Sequence, residues 1–172
     1  MSRVLRGLFA AVVLLIALPL AARTLDVPQG RPLFRLDVPD DWNLVSEGAT
    51  QVTLMAPDTY AFMVSRASAL ESRESAEARL QELAAQFADG FPPGEVRIEK
   101  VVASTNRNGV AILTLDAVRT TGRRVRNHVV EVAPGQYWLV ETLGSMEFDV
   151  DAQAAGDRAI ESLQLVAATR GQ

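Results

Sequence analysis

The chain has no cysteine and a single histidine, His128. The first absence excludes disulfides, thiol nucleophiles and cysteine-ligated metal centres, and also a lipidated leader, which needs a cysteine at its cleavage point. The second excludes histidine clusters that would hold zinc or iron. Aromatic residues are few, with 2 Trp, 2 Tyr and 6 Phe, so each large ring is expected to anchor a core or a contact. Glycines stand singly at turn-like positions, and no phosphate-cradling loop is present. No Gly-x-Ser-x-Gly elbow marks a hydrolase. The net charge is −4. A mildly acidic chain lacks the basic surface that displaces counterions, so nucleic acid is not an expected partner.

One long apolar run does occur, from Leu8 to Leu18. Arg3 and Arg6 precede it, Pro19 breaks it, and Leu20-Ala21-Ala22 comes next with small residues. The run is short of the about 20 residues that span a bilayer. Together these features predict a signal peptide over 1–22, cleaved near Ala22. The mature chain would then be periplasmic or secreted; an uncleaved anchor is the alternative. Residues 23–172 would form a single domain, since no linker or low-complexity tract divides them.

Strand patterns dominate residues 23–67. Phe34, Leu36 and Val38 alternate with Arg35 and Asp37, which places three apolar side chains on one face. Pro39 ends that strand and Pro39-Asp40-Asp41 begins a turn, after which Trp42 brings a ring back toward the sheet. Leu25-Asp26-Val27-Pro28 is echoed by Leu36-Asp37-Val38-Pro39, read as two short strand-like pieces each stopped by proline. Asn43 to Thr50 contains the turn signal Glu47-Gly48. Val52, Leu54 and Ala56 alternate on the next strand, and Tyr60 to Ala67 makes a third.

The period then changes. Ala76, Leu80, Leu83 and Phe87 form the stripe of an amphipathic helix from about Arg73 to Asp89. Ser72 is its expected N-cap, and Gly90 its expected left-handed C-terminal residue. Four strands come after it: Val96–Ser104, Val110–Arg119, Arg124–Val132 and Tyr137–Leu143, with Asn108-Gly109 as a hairpin signal. Val110–Arg119 is apolar on both faces and reads as a central strand. A second helix over about Asp151–Ser162 presents Ala152, Ala155, Ala159, Ile160 and Leu163, capped by Asp149 or Asp151. The order predicts an α+β fold: an antiparallel β-sheet of about six to seven strands between two main helices, an α/β/α sandwich.

An exported leader, a strand ending Val38-Pro39-Asp40-Asp41-Trp42, a hairpin, one helix, a four-strand meander and a last helix reading Ala159-Ile160-Glu161-Ser162-Leu163 resemble the PsbP-like fold family. The nuclear Ran-binding protein Mog and bacterial DcrB-type periplasmic proteins share that fold. The resemblance spans about residues 32–166. It implies a non-enzymatic accessory subunit, assembly factor or chaperone of protein complexes, often at a membrane. It supplies no catalytic or cofactor-binding residue.

Local features point to little chemistry. His128 reads as an ordinary strand histidine rather than a general base. Asp149, Asp151 and Asp157 lack the spacing, central glycine and terminal glutamate of a calcium loop, so capping and solvation are the expected roles. Trp42, Trp138 and Tyr137 are expected in the core, with Tyr137 and Trp138 on opposite faces of one strand. Arg119, Arg123, Arg124 and Arg126 concentrate positive charge on one hairpin of an acidic chain. They read either as a solvated hairpin tip or as a surface for an acidic partner or anionic headgroups. The leading expectation is an exported, non-enzymatic accessory or assembly protein that binds another protein or a membrane complex, with no catalytic residue, cofactor or metal. The alternative is a periplasmic carrier or chaperone for an apolar ligand or hydrophobic segment. A hydrolase without a recognisable motif comes last.

Overall fold

The computed structural model describes residues 21–57, 60–67, 70–122, 124–144 and 150–166; the leader expected over 1–22 falls almost wholly outside them. Two sheets and two helices make three layers. The main sheet has eight strands. They are β3 (Asn43–Glu47), β4 (Gln51–Met55), β5 (Tyr60–Arg66), β6 (Val96–Ile98), β7 (Val102–Thr105), β8 (Ala111–Arg119), β9 (Arg124–Ala133) and β10 (Gln136–Gly144). Their order is β3-β4-β5-β10-β9-β8-β6, with β7 also paired to β8. A second, three-stranded sheet joins β1 (Ala22–Val27), β2 (Phe34–Pro39) and β11 (Gln164–Leu165) in the order β1-β2-β11. The α+β class therefore holds, with more strands than the alternation suggested.

The two Leu-Asp-Val-Pro pieces pair with one another. Leu25 lies opposite Leu36 and Val27 opposite Phe34. All four side chains are buried, and Val38 with them. This small sheet shares one layer with α2 (Val150–Ser162), whose buried stripe of Ala152, Ala155, Ala159 and Ile160 packs on β2. Small alanines let the helix approach closely. Together they cover one face of the main sheet, meeting Val52, Leu54, Phe62, Val64, Val130, Trp138 and Val140 in a continuous core. Phe34 meets the Trp138 ring edge-on at 5.3 Å between centroids, and Trp42 tilts against Phe62 at 5.5 Å.

The other face carries α1 (Arg73–Asp89), which packs on β8, β9 and β6. Ser72 caps it, its hydroxyl accepting from the Ser75 N–H at 3.2 Å while the Ser75 hydroxyl accepts from the Ser72 N–H. The buried line is Ala76, Leu80 and Ala84. Leu83 and Phe87, expected in that line, are only half-buried flanks. Spacing four residues apart along a helix of 3.6 per turn fixes a face only within about a third of a turn, and the close-packed alanines settled which residues touch the sheet. Gly90 is not left-handed: its φ is −74°. The reversal falls at Gly94, φ +85°, after Pro92-Pro93, a conformation without steric penalty only for glycine.

Two other expectations shift. Asn43–Glu47, read as approach to a turn, is the edge strand β3, exposed along its whole length. Val96–Ser104 is broken into β6 and β7, which pair successive parts of β8. The break is bridged by the Glu99 N–H bonding to the Asp116 carbonyl at 2.8 Å.

Candidate functional site

The strongest concentration of polar groups lies on the main-sheet face beneath α2. Alternation along β8 and β9 puts Thr114 directly opposite His128, and Asp116 directly opposite Arg126. From above, α2 lowers Asp157 onto the same guanidinium. Arg126 gives two parallel bonds to Asp116, Nε to Oδ1 at 2.7 Å and Nη2 to Oδ2 at 2.8 Å. Its Nη1 reaches both Asp157 oxygens at 2.8 Å. Such a fork-on-fork geometry is the strong form of a charge-assisted bond. Its acidic partners hold the guanidinium proton more tightly than usual, the Asp116 hydrogen bond foremost.

Arg124 stands further off, 3.8 Å from Asp116 and 4.0 Å from Asp157. Arg119 pairs with Glu95 at 2.7 Å and lies over the Phe91 ring at 4.3 Å. The arginines of the hairpin are thus not a free positive tip. Arg119, Arg124 and Arg126 are turned inward onto carboxylates, and Arg123 lies outside the described residues. Asp157 accordingly serves in an ion pair, with its side chain still 37% exposed. Asp151 does sit in the first turn of α2, and Asp149 is outside the described residues. Sequence reasoning passed over Asp116. An acid inside a strand that is apolar on both faces was the available signal for a buried ion pair.

His128 is buried, and its Nδ1 is 2.8 Å from the Thr114 hydroxyl. Burial first, and then the neighbouring Arg126 charge, push its pKa down to about 4. A neutral imidazole this weakly basic is a poor acceptor for a hydroxyl proton, and Arg126 opposes the imidazolium that would form. The Thr–His contact is a satisfied buried pair, not an activated nucleophile. Between Ser104, Thr114, Arg126, His128, Asp157 and Glu161 there remains a cleft of about 310 Å³. No group of three or more His, Cys, Asp or Glu placed to hold a metal occurs among the described residues.

The buried histidine has a measurable consequence. Its folded pKa lies below the unfolded value of about 6.5, so between those values the unfolded chain binds more protons, and stability falls as the pH drops. Urea titrations between pH 6.5 and pH 4 are expected to show this loss in the native chain, and a flatter profile in His128→Gln. Equal slopes would mean that the imidazole titrates in the folded chain as it does in the unfolded one.

The cluster joins helix to sheet rather than exposing chemistry. A second tie lies at the hairpin Asn106–Gly109. Asn106 is buried, and its Nδ2 donates to the carbonyls of Ile160 at 3.1 Å and Leu163 at 2.8 Å, while Asn108 Nδ2 donates to that of Ser162 at 2.9 Å. The end of a helix leaves carbonyls such as that of Ser162 unpaired, and the Ile160 carbonyl accepts the Asn106 bond beside one from the Leu163 N–H.

A surface without a described cover lies on the opposite face. There α1 stops short of β5, β4 and β3. Val52, Leu54, Phe62 and Val64 point into the core, whereas their alternates Thr53, Met55, Ala61, Met63 and Ser65 are half-exposed. Beyond them β3 is exposed along its length, with Val45 60% exposed at its bulge; Leu44, opposite Leu54, belongs to the other face. No described element covers this shelf.

These layers define the PsbP-like fold, an antiparallel sheet with a helix on each face and a small sheet beside the second. The chain is similar to the solution structure of cyanobacterial PsbP from Synechocystis sp. PCC 6803, at a TM-score of 0.52 and 13% identity, over 86% of this chain and 94% of that one. It also matches a Pseudomonas aeruginosa protein of unknown function, PA94, at a TM-score of 0.41 and 19% identity over 86% and 97% of the two chains. A Bacteroides thetaiotaomicron structure matches at a TM-score of 0.36 and 14% identity, over 83% and 48%. No family model and no curated protein matches the sequence.

Proposed function

We propose that this protein is an exported, non-enzymatic accessory or assembly factor that acts by binding another protein, in the periplasm or at its membrane. The observation that carries the reading is the uncovered shelf of Thr53, Met55, Ala61, Met63 and Ser65 beside α1. One face of the sheet is filled by α2 and the small sheet, yet half of the other face has no described cover. Exposed apolar surface of this kind marks contact sites, and unbranched methionine adapts to a partner's shape. The free edge of β3 adds backbone donors and acceptors that a partner strand can use. The PsbP-like fold and the leader-like Arg3–Ala22 segment support the same reading.

The polar cluster under α2 supports it from the other side, because its charges are consumed in holding the layers together. The alternative role, carrying an apolar ligand, would use an enclosed apolar cavity. The cleft under α2 instead sets Asp116, Arg126, Asp157 and Glu161 beside its aliphatic residues, and Phe34, Phe62 and Trp138 fill the space between small sheet and main sheet. A photo-reactive amino acid in place of Met63, introduced into the full exported chain in its native cells, is expected to give one dominant protein adduct by mass spectrometry. The same label at Arg35, on the exposed side of β2, is the control. Equal or absent adducts at the two positions would sink the reading.

A further inference from the structure

The shelf ends, on its α1 side, in a pair of polar residues that no described residue satisfies. Glu141 of β10 and Asn127 of β9 are direct cross-strand partners, so their side chains share one face with Cβ atoms about 5 Å apart. Leu115 continues the row on one side of them, and Met63 and then Thr53 on the other. Asn127 is 3% exposed, and its Oδ1 is buried without a hydrogen-bond partner among the described residues. That atom is closed to an incoming group, so the polar group within a partner's reach is Glu141. Glu141 beside it is half-buried and makes no hydrogen bond or ion pair with the described residues. Burial holds its carboxyl toward the neutral form, and only the more distant Arg79 of α1 opposes this. Arg79 is itself engaged with Glu82 at 2.6 Å. The half-exposed neighbours across β5 and β4, Met63, Ser65, Thr53 and Met55, are uncharged.

A half-buried carboxylate without an ion pair among the described residues, at the margin of a neutral, methionine-bearing surface, has a cation as its complement. We infer that the shelf receives a partner segment that presents a lysine or arginine to Glu141 and lays apolar side chains over Ala61, Met63 and Met55. This rests on the protein-binding reading above and deepens it by naming the partner's chemistry. A cation arriving at Glu141 favours the ionised carboxylate that burial disfavours. Arginine can meet both carboxylate oxygens at once through its planar fork. The apolar part of the segment supplies area, and the cation fixes its register. Glu141 is the one charge among these shelf residues, so a segment lacking a basic residue would leave it buried and unmatched, which selects against that segment.

The test uses the full chain carrying the photo-reactive label at Met63, with Glu141→Gln and Glu141→Lys as variants. Glu141→Gln keeps the shape and removes the charge. Its adduct yield is expected to fall by at least about tenfold, since losing one member of a desolvated charge pair usually weakens binding by more than that, with the melting temperature unchanged. Glu141→Lys is expected to abolish the adduct. The crosslinked partner peptide should contain a lysine or arginine among apolar residues. An undiminished adduct in Glu141→Gln, or a crosslinked peptide without a basic residue, overturns the inference while leaving protein binding at the shelf intact. An adduct with this chain's own residues 1–20, which carry Arg3 and Arg6, or with a second copy, also overturns it, because the occupant is then the protein itself. Absence of any adduct at Met63 in the native chain defeats the protein-binding reading first. Should Glu141→Lys fail to fold, Glu141→Gln alone still decides.

Discussion

Leu80→Ala is expected to lower the folding free energy by about 2–5 kcal/mol, and Leu83→Ala by about 1 kcal/mol or less. Both leucines belong to the same amphipathic stripe of α1, and periodicity alone ranks them equally. The structure separates them. Leu80 is 0% exposed between Ala76 and Ala84, in a cluster with Leu113, Leu115, Val129 and Leu139. Its removal leaves a cavity that neighbouring backbone cannot close, so the loss of contacts adds to the transfer term. Leu83 is a half-buried flank, where water can fill the space of the lost methyls. Urea unfolding of the two variants side by side checks the contrast. Similar losses would place the contact face of α1 between the two residues.

Replacing Arg126 by methionine is the second large effect, expected at about 2–3 kcal/mol. That sits between the 3–5 kcal/mol of a broken buried pair and the 0–1 kcal/mol of an exposed one. The side chain is 21% exposed, Asp116 19% and Asp157 37%, which justifies the intermediate figure. Methionine keeps the stem and much of the packing. What is lost is the cation between two acids, and Asp116 and Asp157 are then left facing one another. Arg124→Gln, whose contacts are only 3.8 and 4.0 Å, is expected to change stability by less than about 0.5 kcal/mol. A second change, Asp157→Asn in the Arg126→Met background, should recover part of the loss by removing the repulsion. If Arg126→Met proves as mild as Arg124→Gln, the cluster is solvated in solution and the arginines return to the hairpin surface. Thermal or urea unfolding at low salt reads all three.

The arginines show why charge in a sequence is ambiguous. Four arginines between positions 119 and 126 look like a basic tip because the acids that neutralise three of them come from elsewhere. Glu95 lies before β6, Asp116 on the neighbouring strand, and Asp157 in α2. A count within a short window registers the cations and misses their partners. The same limit hid Glu141 and Asn127. Each is unremarkable in its own strand, and only the register of β9 against β10 sets them side by side.

Local information was nonetheless sufficient for much of the frame. The ends of α1, the Ser72 cap, the buried stripe of α2, the alternation of β2, β4 and β8, and the opposite faces of Tyr137 and Trp138 all follow from periods of 3.6 and 2 and from turn chemistry. These properties involve neighbours along the chain, so the sequence by itself determined them, together with the absence of cysteine chemistry. Tertiary structure decided the rest. It made a strand of the weakly patterned Asn43–Glu47, because ladder bonds to β4 reward an edge that propensity does not. It joined β1, β2 and β11 into a separate sheet, paired Arg126 with acids from two elements, and stopped α1 short of β5. Each of these depends on groups far apart in sequence meeting in one place, and the free energy of such a meeting comes from burial, register and desolvation, which no local window contains.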